Sequence, residues 1–119
     1  MENRKRILIV QDEAIISIFL KMVLGKSFEI TGIADNARDA ISRARDESPD
    51  FITMDIKLKG KETGIDAMKV IEKEQKIRHI YCTAFNDEQI MAEARTTYPA
   101  GIMFKPMDIQ KLIDIINQC

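Results

Sequence analysis

Five short apolar runs, each followed by a polar or charged residue, constrain this chain more than anything else in it. They are Ile7–Val10, Ile30–Ala34, Phe51–Met54, Ile80–Cys82 and Ile102–Phe104. The runs are rich in Ile and Val, and most do not alternate with polar residues. Unbroken apolar runs suit strands buried on both faces of a parallel sheet. The stretches between them have helical spacing, so the pattern is β-α repeated five times, with no internal repeat, low-complexity segment or linker. Such alternation predicts right-handed crossovers and an α/β fold whose parallel sheet is covered on both faces. The Phe51 run follows a Pro-Asp turn and is expected at the centre of the sheet.

The helical stripes are explicit. Ile15, Ile18, Phe19 and Met22 make one, read as the core side of the first helix. Ala37, Ile41 and Ala44 make another, with Arg38, Asp39, Arg43 and Arg45 facing away. Ile65, Met68 and Ile71 or Glu72 continue the pattern, and Ile109, Leu112, Ile113 and Ile116 close the chain at i, i+3, i+4, i+7. Asn36 and Asn86 or Asp87 are candidate helix caps. Pro49 and Pro99 fall where helices should have ended.

At 119 residues the chain is expected to form one domain, residues 1–119, with a single buried core. A formal net charge of −1 gives no global pull toward nucleic acid or an anionic membrane, so neither is expected as a partner. No apolar run approaches the roughly 20 residues that span a bilayer. The basic N-terminus, Met1 to Arg6, precedes too short an apolar stretch to be a signal peptide. Cys82 and Cys119 do not make a disulfide framework, and a cytoplasmic, reducing home is expected.

In an open parallel sheet the carboxyl ends of all strands face one crevice, where ligands bind. Gln11-Asp12-Glu13, Asp55, Thr83 and Lys105 follow four of the runs, so they should meet there. Asp55 is the sharpest of them. A carboxylate in that place can act as a nucleophile and form an aspartyl phosphate. Carboxylates sharing a site repel each other, and a hard divalent cation relieves this. Mg²⁺ uses one or two carboxylates and keeps several waters, a count that Asp12 with Asp55 meets. Thr83 can donate a hydrogen bond to a phosphoryl oxygen, and Lys105 can place a positive charge on another. Phosphoryl transfer needs mainly positioning and charge neutralisation, so the list is chemically sufficient. Taken singly, Asp55 reads rather as a strand-end acid capping a turn, and Thr83 as a β-branched strand residue; the other motifs turn both readings. The loop after Asp55, residues 57–64, reads as flexible. Its Lys57, Lys59 and Lys61 either steer an anionic donor or form a solvated surface, the second being the plainer account. His79, at a strand entrance, reads as structural or solvated.

Four segments, in order, resemble the signatures of response-regulator receiver domains. They are Ile7-Leu8-Ile9-Val10-Gln11-Asp12-Glu13, Met54-Asp55-Ile56, Cys82-Thr83-Ala84 and Phe104-Lys105-Pro106. The resemblance spans essentially the whole chain. It implies a flavodoxin-like (βα)5 fold with strand order 2-1-3-4-5. It implies that Asp55 accepts phosphate from a sensor histidine kinase or phosphotransfer protein. Mg²⁺ would be held by Asp12, Asp55 and the backbone carbonyl of Lys57. Thr83 would be the switch hydroxyl, Lys105 would contact the phosphoryl group, and the Lys105–Pro106 bond would be cis. Such a protein is not an enzyme beyond its own phosphorylation and dephosphorylation. Its output comes from contact with a further protein, or from a domain outside this chain.

Two positions depart from that family. Gln11 stands where an acid is usual, still offering an oxygen to a metal-bound water but no charge, so weaker Mg²⁺ binding is expected. Glu13 begins the next helix and is expected to stabilise its N-terminus. Ile102 stands where the family carries an aromatic switch residue, three before the lysine, so the coupling to Thr83 is expected to be weaker or differently routed. Lys57 and Phe85, two residues past Asp55 and Thr83, would shield an acyl phosphate from water and predict slow self-dephosphorylation. A second stripe on the first helix, Ile16, Leu20 and Leu24, is either a docking face for a partner helix or packing against the last helix. Met91 and Ile115 permit a homodimer without requiring one. The alternatives are a phosphorylation-independent receiver-like interaction module, a Mg²⁺-dependent phosphohydrolase, which needs an acid where Lys57 stands, and a flavin carrier, whose phosphate Asp12 and Glu13 would repel.

Overall fold

The structure is a computed structural model and describes residues 4–84 and 86–119. Its five strands are β1 (Arg6–Val10), β2 (Glu29–Ala34), β3 (Phe51–Met54), β4 (Arg78–Thr83) and β5 (Gly101–Phe104). They alternate with α1 (Ala14–Leu24), α2 (Ala37–Glu47), α3 (Gly64–Glu74), α4 (Glu88–Arg95) and α5 (Ile109–Gln118). The strands form one parallel sheet in the order β2-β1-β3-β4-β5, so the apolar Phe51 run is central as expected. The runs underestimate the strands where polar residues extend them, as at Arg6, Glu29, Arg78, His79 and Thr83. Ladder hydrogen bonds tolerate polar side chains at a strand's ends, and apolar periodicity is blind to them.

Alternate side chains feed two cores. Leu8, Val10, Ile52, Met54 and Tyr81 pack on the side of α2, α3 and α4. Ile7, Ile9, Phe51, Ile80, Cys82 and Met103 pack on the side of α1 and α5. Four helices carry side-chain caps, which satisfy first-turn N–H groups. Asn36 accepts from Asp39 N and Asp108 from Lys111 N. Thr63 and Asp66 form a reciprocal capping box, and Asp87 accepts from Gln89 N and Ile90 N. Of the two candidates before α4, Asp87 is therefore the cap.

The first helix is turned opposite to the expectation. Ser17, Leu20 and Leu24 are buried, with Ile16 and Val23 partly so. Ile15 is 84% exposed, Ile18 64%, Phe19 44% and Met22 61%. The helix is apolar nearly all round, so periodicity offers two faces and selects neither. Ser17 interrupts one of them and makes it look polar. Its hydroxyl is satisfied locally by donating to Ala14 O at 2.9 Å, so burial costs little. The Ile16, Leu20, Leu24 stripe thus packs in the cluster that holds Leu112 and Ile116 of α5. Of the two residues expected to permit a homodimer, Met91 is buried and Ile115 partly buried.

Candidate functional site

The backbone ladder carries each candidate residue to the carboxyl end of the sheet. Gln11 N donates to Ala34 O at 2.9 Å, Asp55 N to Val10 O at 2.9 Å, and Lys105 N to Thr83 O at 2.9 Å. Positions just past β1, β3 and β5 are therefore fixed by the same hydrogen bonds that build the sheet, and Thr83 is the last residue of β4. The Lys105–Pro106 peptide is cis.

Asp55 is buried, with a side-chain exposure of 4%, and its Oδ2 accepts from Lys105 Nζ at 3.0 Å. Burial is the largest influence on its carboxyl group and raises its pKa above the ordinary carboxylate value. The Lys105 hydrogen bond and charge oppose the rise, Asp12 adds to it by repulsion, and a backbone hydrogen bond from Lys57 opposes it. Burial works against the charge on Lys105 as well. There the hydrogen bond and charge of Asp55, with Glu13, outweigh it and hold the ammonium above its usual pKa.

Gln11 is buried, and its Oε1 accepts from Glu13 N at 3.2 Å and Lys105 Nζ at 3.4 Å. Both partners are donors, which fixes which end of the amide is the oxygen. That oxygen is engaged by the lysine. Glu13 is the N-cap of α1 but its side chain makes no cap bond. Its Oε1 lies 3.4 Å from Lys105 Nζ. Thr83 is fully buried and pairs with Phe104 across the β4–β5 ladder. Asp12 is half-buried and Lys57 exposed. Phe85 lies outside the described residues.

The segment after Asp55 is anchored, contrary to its reading as a flexible loop. Ile56 and Leu58 are buried in the core, Lys59 N donates to Asp35 O at 3.2 Å, and Lys59 Nζ lies 3.0 Å from Asp35 Oδ2. Lys59 is thus committed to an ion pair, while Lys57 and Lys61 are exposed. Gly64 closes the segment. Its N–H donates to Ile56 O at 2.7 Å, and a Cβ there would fall 2.0 Å from Asp55 O. Only glycine lets α3 approach the backbone of Asp55 this closely. A lone Gly at the head of a helical stripe was the signal for it.

Among the described residues no group of three or more His, Cys, Asp or Glu is placed to hold a metal. Two carboxylates and a backbone carbonyl suit Mg²⁺, which retains waters, better than a cation needing a full protein cage. The raised Asp55 carboxyl beside Asp12 is an excess of negative charge that a divalent cation would relieve. The residues therefore fit Mg²⁺. No helix among the described residues is long and apolar enough to cross a membrane.

Comparison with known proteins agrees with the geometry. The family model for the response regulator receiver domain matches residues 7–117. The chain is 32% identical over 116 residues to the chemotaxis protein CheY of Thermotoga maritima, covering 96% of each. It is 33% identical over 121 residues to the sporulation initiation phosphotransferase F of Bacillus subtilis, covering 99% of this chain and 94% of that protein. Among solved structures, it is similar to the response regulator domain of Thermotoga maritima CheB, with a TM-score of 0.87 and 27% identity, covering 98% of this chain and 96% of that one.

Proposed function

This chain belongs to the response regulator receiver domain family, and from that premise we propose that residues 1–119 act as one receiver domain, phosphorylated on Asp55. Receivers of this kind are signalling modules of two-component systems, and phosphorylation on an aspartate is general to them. The donor is a phosphohistidine on a sensor histidine kinase or phosphotransfer protein. An Asp55 carboxylate oxygen forms a new O–P bond while the donor's P–N bond breaks and leaves its electron pair on the imidazole. Lys105 neutralises one phosphoryl oxygen, and Thr83 donates a hydrogen bond to another. Asp12, Asp55 and the Lys57 carbonyl would hold Mg²⁺, which supplies charge neutralisation between carboxylate and phosphoryl oxygens. Gln11 keeps Lys105 aimed at Asp55 without adding a second acid.

One observation carries the proposal: a buried carboxylate at the carboxyl end of the central strand, 3.0 Å from an ammonium and beside a second acid. The exposed strip Ile15, Ile18, Phe19 and Met22 of α1 is the face on which the phosphodonor's helices dock. Output follows by contact with a further protein, in the cytoplasm.

The test is incubation with acetyl phosphate or a phosphorylated histidine kinase in Mg²⁺, wild type beside Asp55→Asn. Labelling of the wild type alone is expected; equal labelling of both, or of neither, refutes the assignment.

A further inference from the structure

Beneath α4 lies a buried polar network that the phosphoryl chemistry does not use. Tyr81 OH is 2.7 Å from Thr97 Oγ1, and His79 Nε2 is 3.0 Å from the same oxygen. Thr97 Oγ1 also lies 2.8 Å from Ala94 O. Thr97 has a single hydroxyl proton, which goes to Ala94 O or to His79, so the Tyr81 hydroxyl is the donor to Thr97. Tyr81 is 0% exposed, and His79 and Thr97 are each 2% exposed. Burial pushes the Tyr81 phenol up and the His79 imidazole down to about 4, so both are neutral partners near pH 7.

The position of this network bears on how α4 can move. Its C-terminal end is held by Thr97, just past the helix. Its N-terminal end is reached from Thr83 through only three residues before the Asp87 cap. Tyr81 and Thr83 lie two apart on β4 and so share one face of the sheet, paired with Ile102 and Phe104 of β5. The buried aromatic ring of that layer is Tyr81 of β4, in the cluster with Met91 and Ala94, while β5 contributes Ile102 to the cluster and an exposed Phe104. If the C-terminal end of α4 swung away, the buried Tyr81 hydroxyl would lose its bond to Thr97 and His79 would lose the same oxygen, which is costly in a buried setting. The first turn carries no such penalty: Glu88 and Gln89 are exposed and Ile90 only half-buried. An open cleft of about 360 Å³, lined by Met91, Arg95, Pro99, Gly101, Ile102 and Phe104, gives the helix room on its β5 side.

We infer that Tyr81 is a positioning residue that pins the C-terminal end of α4 through Thr97, so that movement of Thr83 toward a phosphoryl group displaces only the N-terminal half of the helix. Thr97 is the fixed point and residues 86–91 are the moving part. This rests on the assignment of Asp55 as phosphoacceptor.

Hydrogen exchange tests it, on the wild type and Tyr81→Phe, with and without Mg²⁺ and beryllofluoride as the phosphoryl mimic. In the wild type the mimic should change exchange across residues 86–91 and leave the amides of Thr96, Thr97 and Tyr98 unaltered. Those three amides donate to Glu93 O, Ala94 O and Arg95 O, so they report directly on the pinned end. In Tyr81→Phe they should exchange about fivefold faster without the mimic, as expected for loss of one hydrogen bond. The mimic's effect should then spread through residue 98. Thr97→Ser keeps the hydroxyl and should behave as wild type, and Thr97→Val probes the same bond should Tyr81→Phe not fold. A wild-type response that already includes Thr96–Tyr98, or a Tyr81→Phe response still confined to 86–91, overturns the pivot alone. No response anywhere in the wild type, with Asp55→Asn the same, overturns the Asp55 assignment and the pivot with it.

Discussion

Lys105 Nζ sits 3.0 Å from Asp55 Oδ2, yet burial still holds the Asp55 carboxyl above its ordinary pKa. The ion pair does not repay the burial of the acid, and Asp12 adds repulsion. The fold therefore carries an unfavourable charge at the proposed phosphoacceptor. A cation bound beside the carboxylate would relieve that charge, which is what the proposed function asks of it.

Asp55→Asn should therefore melt a few degrees higher than wild type at pH 7 without metal. The sign follows from linkage. A carboxyl whose pKa is raised by folding lowers stability once ionised, and the loss is relieved as pH falls through its folded pKa. The gap between variant and wild type should thus narrow toward acid pH. Mg²⁺ should raise the wild-type melting temperature and move the variant little. A variant that melts below wild type at pH 7 would show that the Lys105 pair outweighs burial.

Gln11→Glu should tighten Mg²⁺ binding, on the order of tenfold, because ligand charge count tunes affinity at oxygen sites. It adds an acid beside Asp12 and turns the neutral contact with Lys105 into a competing ion pair. A metal titration followed by thermal shift measures this, and unchanged half-saturation would refute it.

The strand-end acids, hydroxyl and lysine were legible because the parallel sheet sends every carboxyl end to one crevice. Period and spacing alone placed Asp12, Asp55, Thr83 and Lys105. They failed on α1, where Ile15, Ile18, Phe19 and Met22 are as apolar as the buried set, and a self-satisfied Ser17 disguised the true core face. The role of Gly64 and the Tyr81–Thr97 bond depends on backbone approach and on partners 16 residues apart. Neither has a periodic signature. His79 read as structural or solvated, and its burial against Thr97 settles it as structural.

The two faces of α1 separate by substitution. Leu20→Ala removes a buried side chain and should cost about 2–5 kcal/mol of stability. Phe19→Ala, at a 44% exposed position, should leave stability within about 0.5–1 kcal/mol of wild type. It should still reduce phosphate transfer from a histidine kinase severely while leaving labelling by acetyl phosphate intact. Equal loss with both donors would mean that the site itself was disturbed and would remove the docking role.

His79 should give the protein an acid-sensitive limb opposite in sign to that of Asp55. Its imidazole is held at about 4 by burial, against an ordinary 6.5. A histidine whose pKa is depressed by folding binds fewer protons in the native state, so stability is full above pH 6.5 and falls as pH drops toward 4. The loss across that window should approach about 3 kcal/mol, from the size of the shift. Protonation also fixes Nε2 as a donor, so the bond to Thr97 Oγ1 can then run only from the imidazole to the hydroxyl oxygen. His79→Gln should flatten this part of the stability profile whatever its stability at pH 7, because the titrating group is gone. Chemical denaturation of both proteins at half-unit intervals from pH 7 to 4 checks it. Parallel profiles would mean that the acid limb belongs to the carboxylates and that His79 carries none of it.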